Sequence, residues 1–245
     1  MARPERKVAV LPANPVRRLT LPDEIYRRIK DLILDGGIAP GELVTIQRLA
    51  KSFGVSAMPV REALQRLTVE KGLTVVSGRS VGIPKLQAAR LLDLCRVRAT
   101  VEATASEWAT NNLGADDIAR LERLIGVMAE AIAERNAMQY VRANHEFHFI
   151  VYRASGSDVL VSLIESLWLQ VSPYFHLLNG SGNYRSANRE HERLLAALKR
   201  RRASAAAACI RADIEGATAA LLTLLPSESE DKPSQGGAKS RMRAG

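Results

Sequence analysis

The sequence predicts a mainly α chain: three helices and a short hairpin forming a winged helix-turn-helix, followed by an all-α antiparallel bundle. Three observations predict this. Apolar residues recur at helical spacing almost throughout, β-leaning residues are confined to one stretch near residues 73–84, and from Leu86 onward helical periodicity continues without interruption by strand signals.

The first helix is expected over residues 21–35. Thr20 stands as its cap, Pro22, Asp23 and Glu24 fill its first turn, Gly36 and Gly37 end it, and Ile25, Ile29, Leu32 and Ile33 make its buried face. After a Pro40-Gly41 turn, Thr45 caps a second helix whose apolar face is Ile46, Leu49, Ala50 and Phe53. Gly54 turns the chain into a third, opening Ser56-Ala-Met-Pro-Val-Arg-Glu-Ala-Leu64. Here Ser56 is placed to cap and Pro59 is tolerated in the first turn. Val60, Ala63, Leu64 and Leu67 form one apolar stripe, and Arg61 and Gln65 lie off it. Leu73–Ser77 and Val81–Pro84, joined by Gly78-Arg79-Ser80, predict the hairpin. Beyond it, helices are expected near 86–111, 115–135, 137–154, 157–179, 184–201 and 203–225.

The expected domain division is a flexible basic arm at 1–17, the winged module at 18–84, the helical domain at 85–225 and a Ser-, Gly- and Pro-rich disordered tail at 226–245. The net charge is +9 over 245 residues, and it is uneven. Up to Lys85 there are 15 Lys and Arg against 8 Asp and Glu, so +7 of the +9 lies in the first third. A basic front module favours a polyanion partner. The two cysteines, Cys95 and Cys209, are far apart within helical patterns, which fits neither a disulfide framework nor a metal knuckle and favours a reducing, cytoplasmic setting. No apolar run approaches a membrane span.

A helix, a Gly-containing turn and a second helix opening on an arginine are the arrangement that enters a DNA major groove. With both halves in view, the chain resembles GntR-family transcriptional regulators of the FadR-like branch, whose C-terminal half is an FCD ligand-binding domain. The resemblance is carried by Ile33–Leu43, Leu49–Ser56 and Pro59–Leu67 in the front half. In the rear half it is carried by Arg98–Glu102, Asn144–His148, Glu190–Leu198 and Cys209–Ile214. It implies a homodimer on a double-stranded DNA operator, acting as a repressor, with Gln47, Arg48, Ser56, Ala57, Met58, Arg61 and the wing residue Arg79 at the DNA. Two positions depart from the pattern: Ala57 stands where the family usually has arginine, and Gln47 where relatives often carry a recognition arginine.

In the bundle, Asn144 and His148 are four residues apart and converge on one side of a helix. The resemblance adds His191 and Asp213 as further ligands for a divalent metal, zinc, nickel or manganese; FCD domains that bind metal usually have histidine where Asp213 stands. It also implies a small carboxylate effector, with Arg98, Asn144, His148 and His191 reading it. For Arg98 two partners remain open, a ligand carboxylate or Glu102 one turn away. His148 and His191 can equally be pocket histidines that bind an effector directly, or bundle residues satisfied by neighbours. Two other functions compete: a DNA-binding dimer whose bundle senses nothing, and a metallohydrolase with a DNA-targeting module, for which Glu146 would be the nearest base, though the helix turns it to another face.

Overall fold

The computed structural model describes residues 20–78 and 80–225. Arg79, the basic arm and the tail lie outside these. The element order is α1 (Leu21–Leu34), β1 (Leu43–Thr45), α2 (Ile46–Phe53), α3 (Ala57–Val69), β2 (Thr74–Ser77) and β3 (Ser80–Gly82). Then come α4 (Ala88–Ala109), α5 (Ala115–Ala133), α6 (Ala137–Arg153), α7 (Asp158–Val171), α8 (Asn183–Lys199) and α9 (Ala203–Leu224).

In α1 a full capping box forms. The Thr20 hydroxyl accepts the Asp23 N–H while the Asp23 carboxylate accepts the Thr20 N–H, at 3.4 and 3.2 Å. Ile25, Tyr26, Ile29, Ile33 and Leu34 are the residues α1 buries, mainly against α3. Leu32, expected in that face, is 38% exposed because it sits just beyond the edge of the arc that Ile25, Ile29 and Ile33 define.

Three further expectations need correction. Strand β1 has no sequence signal strong enough to announce it, since three residues between a turn and a helix cap cannot display alternation. It exists because β3 supplies a partner, pairing antiparallel with β1 on one side and β2 on the other. Ser80, read as part of the turn, is the first residue of β3, and its hydroxyl lies 2.7 Å from that of Ser77. The helix expected over 157–179 stops at Val171 and continues as a 3-10 segment, Ser172–Leu178. Pro173 is the reason: within a continued α-helix its ring would clash with a carbonyl of the preceding turn and one hydrogen bond would be missing.

In the rear half α9 packs between α4 and α8, and α5 lies against α6. The alanine-rich start of α9 permits this close approach, with Ala206, Ala207 and Ile210 fully buried. The two halves touch through α1, which meets α7 and the 3-10 segment. Ion pairs reinforce the contact: Lys30 of α1 with Glu165 of α7, and Asp35 at the end of α1 with Arg142 of α6 at 3.0 Å. The Tyr174 hydroxyl also donates to the Pro84 carbonyl, tying the segment after the wing to the bundle.

Candidate functional site

Two constellations stand out, one on the surface of the front module and one inside the bundle. On the surface, the first turn of α2 exposes Gln47 and Arg48, and the start of α3 exposes Ser56, Ala57, Met58 and Arg61. Ser56 occupies the N-cap of α3, yet its side chain makes no cap bond, contrary to expectation. The hydroxyls of Thr20 and Thr45 both accept from the residue three positions on. For Ser56 that residue is Pro59, which has no N–H to give. The Ser56 hydroxyl and the first amides of α3 are thereby left facing outward at the positive end of a helix.

Charge pairing separates structural cations from available ones. Arg27 and Arg28 bind Glu24, and Arg66 binds Asp23 at 2.7 Å while lying 4.0 Å from the Tyr26 ring. Among the described residues, Arg48 and Arg61 have no carboxylate partner. Arg61 and Gln65 line a groove with Ser77, Gly78 and Ser80, so α3 and the wing share one face. The wing residue Arg79 lies outside the described residues.

Inside the bundle, α6 delivers Asn144 and His148, α8 delivers His191 and α9 delivers Asp213. Asn144, His148 and Asp213 line a small cavity of about 20 Å³, room for a water or an ion, with Arg98, Tyr140, Trp168, Phe175 and Tyr184 among its other walls. His148 Nε2 lies 3.1 Å from His191 Nε2 and 3.4 Å from an Asp213 oxygen, and His191 Nε2 lies 3.8 Å from the other. Four ligand atoms about 2.1 Å from a tetrahedral cation stand roughly 3.4 Å apart, so these spacings fit one ion. The donor set also fits: two imidazoles and a carboxylate suit zinc, nickel or manganese. A third histidine, His145, faces the other way, 3.4 Å from Asp35 of α1.

Burial pushes His191 down to about 4, with the neighbouring His148 ring adding to the effect and Asp213 opposing it. Burial works against ionisation of Asp213, but His148, His191 and Arg98 together hold its carboxyl below the usual range. At neutral pH the cluster therefore presents a neutral His191 and an ionised Asp213, as a cation requires.

The sign of the resulting pH dependence is fixed. His191 takes a proton near pH 6.5 in the unfolded chain and only near 4 when folded, so the stability it contributes is complete above 6.5 and is lost as pH falls towards 4. In chelator-treated protein, lowering the pH from 7 to 5 is expected to cost on the order of 2 kcal/mol through this group. Thermal unfolding of wild type and His191→Gln at both pH values checks it; an equal loss in the two proteins would contradict the assignment.

Arg98 is 3% exposed and held by Glu102, which accepts from Nε at 2.6 Å and Nη2 at 3.3 Å. Its guanidinium also lies 5.1 Å from the Trp168 ring and 5.8 Å from that of Phe175. Thus Glu102 is its partner here, and Nη1 stays outside the pair. Glu146 is exposed and bound to Arg120 at 2.8 Å, away from the histidine cluster. Sequence reading did not pick out Tyr152 and Glu102 as site residues. The Tyr152 hydroxyl lies 2.5 Å from Glu102 and 3.0 Å from His148 Nδ1. The Arg98–Glu102 pair was one of the two options the sequence left open; the missed signal was the second i, i+4 pair, His148–Tyr152, on a helix that packs against the first.

Residues 21–83 match the bacterial regulatory proteins of the gntR family, and residues 93–216 match the FCD domain. The HTH-type transcriptional regulator McbR of Escherichia coli K12 is 29% identical over 187 residues, covering 75% of this chain and 85% of that one. The HTH-type transcriptional regulator YdhC of Bacillus subtilis 168 is also 29% identical, over 75% of this chain and 83% of that one. A solved structure of E. coli McbR/YncC superposes with a TM-score of 0.77 at 26% identity, spanning 84% of this chain and 99% of that chain. Both named relatives are HTH-type transcriptional regulators, YdhC an uncharacterized one.

Proposed function

Since this chain belongs to the GntR family of DNA-binding transcriptional regulators and carries an FCD domain, we propose that it is a homodimeric repressor whose operator affinity is set by a small organic acid held in the bundle cavity, with a divalent metal at its floor. The observation that carries this reading is the convergence of His148, His191 and Asp213 from three helices on one point beneath Arg98 and Asn144. A bundle serving only dimerisation has no need to bury two imidazoles and a carboxylate together. His148, His191, Asp213 and Asn144 would hold the ion, which supplies Lewis acidity and positive charge. Gln47, Arg48, Ser56, Ala57, Met58, Arg61 and Arg79 form the operator face. Arg61 is its principal reader, Gln47 suits an adenine edge, and Met58 can touch a thymine methyl.

Glu102 pairs with Arg98, and the Asp213 carboxyl stays ionised beside the two histidines. A divalent ion held there would add positive charge that favours a carboxylate, and Arg98 is among the walls of the same cavity. Fit of the effector changes DNA affinity only if it binds one arrangement of the two halves better than the other. The path between them is short. Helix α6 carries Asn144 and His148 into the cavity and Arg142 and His145 onto Asp35 of α1, while α7 carries Trp168 into the cavity and Glu165 onto Lys30.

Asp35→Asn is accordingly expected to weaken the coupling between cavity and operator by about 2- to 30-fold while leaving Zn²⁺ affinity unchanged. Operator titrations of both proteins, chelated and Zn²⁺-loaded with an acid that stabilises the wild type, measure this; undiminished coupling would remove the clasp from the mechanism. The reading as a whole is tested by thermal unfolding against a panel of organic acids with and without chelator. Stabilisation by particular acids, lost on chelation, is the expected pattern. Indifference to every acid and to chelator favours a bundle that only dimerises.

A further inference from the structure

We infer that Tyr152 is a positioning residue for the metal cluster: it keeps a proton on His148 Nδ1 and so leaves the Nε2 face of that ring to the cation. The inference rests on the metal reading above, but its first readout needs no metal.

Counting hydrogens leads to it. The Tyr152 hydroxyl has one hydrogen and two polar neighbours, Glu102 Oε2 at 2.5 Å and His148 Nδ1 at 3.0 Å. Glu102 is fully buried and locked to Arg98 through both its oxygens, so it is an ionised carboxylate with nothing to donate. The tyrosine hydrogen must therefore point to Glu102, in a short charge-assisted bond. What remains for His148 is the phenolic oxygen, an acceptor. Nδ1 then has to carry the hydrogen whether or not Nε2 also holds one, and it is Nε2, free to give its lone pair once unprotonated, that faces His191 and Asp213.

The chain Arg98, Glu102, Tyr152, His148 is buried from end to end, each member no more than 3% exposed. Its geometry comes from one turn of α4 facing one turn of α6. His191 has no such support: its Nδ1 is buried without a hydrogen-bond partner among the described residues. One imidazole is thus preset as a ligand, and the other is left to adjust. Outer partners of this kind govern ligand orientation and metal affinity.

The chain has four histidines, so ¹⁵N-histidine labelling gives a spectrum simple enough to assign. Two-bond ¹H–¹⁵N correlation on chelator-treated wild type at pH 8 is expected to show His148 protonated at Nδ1. In Tyr152→Phe the acceptor is gone, and the ring is expected to move its proton to Nε2. Zn²⁺ affinity, measured by competition with a chromophoric chelator, should then fall by about 10- to 100-fold. An unprotonated His148 Nδ1 in the wild type overturns the inference, and so does Tyr152→Phe binding Zn²⁺ as tightly as wild type. If Tyr152→Phe does not fold, the wild-type spectrum alone decides. A wild type with Nδ1 protonated that binds no Zn²⁺ upholds the proton assignment and sinks the metal reading instead.

Discussion

Arg61→Ala is expected to lower operator-specific affinity by about 5- to 150-fold, the range set by losing one good arginine contact to a base edge. Because the side chain is exposed on α3 and has no carboxylate partner among the described residues, its removal touches neither the core stripe nor any ion pair described there. Alanine is also a strong helix former, so helical content and melting temperature should hold. Binding to unrelated duplex should weaken far less, since the phosphate contacts of the rest of the basic module persist. Anisotropy titrations at several salt concentrations separate the two terms. Equal loss on operator and random DNA would reduce Arg61 to a phosphate contact. Arg66, also on α3, provides the contrast: it is committed to Asp23 and Tyr26, so Arg66→Ala should cost fold stability rather than discrimination.

Asp213→Asn is the second large effect. It keeps the shape of the side chain and removes the one charge in the proposed ligand set, so Zn²⁺ affinity should drop at least 100-fold. A metal present at 100 times its dissociation constant stabilises the folded protein by about 2.7 kcal/mol. For a chain of this length that raises the melting temperature by roughly 5–10 °C. Wild type should show this shift on adding Zn²⁺ and lose it on chelation, and Asp213→Asn should show neither. A full shift in the variant would place the metal elsewhere, and no shift in the wild type would leave His148 and His191 to bind an effector directly.

Much of this molecule is legible in its sequence because helices announce themselves locally. Caps at Thr20 and Thr45, the Gly54 turn and the Val60, Ala63, Leu64, Leu67 stripe depend on neighbours a few residues away, and local chemistry decides them. What escaped depends on partners distant in sequence. Strand β1 exists through its pairing with β3. The break at Ser172 was signalled by Pro173, but the apolar pattern running on to Leu178 masked it. The unused cap at Ser56 follows from the same proline chemistry, three residues downstream instead of within the helix.

The site divides in the same way. Spacing alone places Asn144 and His148 on one side of α6, whereas His191 and Asp213 could be joined to them only through a family resemblance, because nothing local marks where α8 and α9 cross. The buried chain from Arg98 to His148 was beyond sequence reading, since both its pairs look like ordinary i, i+4 helix neighbours until α4 and α6 are brought face to face.

If what fills the bundle cavity alters the grip on DNA, operator affinity must differ between protein with the cavity empty and protein with it filled. Labelled operator should be titrated with chelated protein, and then with protein holding Zn²⁺ and an acid already shown by calorimetry to bind. The two affinities are expected to differ by about 5- to 150-fold, the usual range of allosteric coupling. Identical affinities with a demonstrably filled cavity would contradict it.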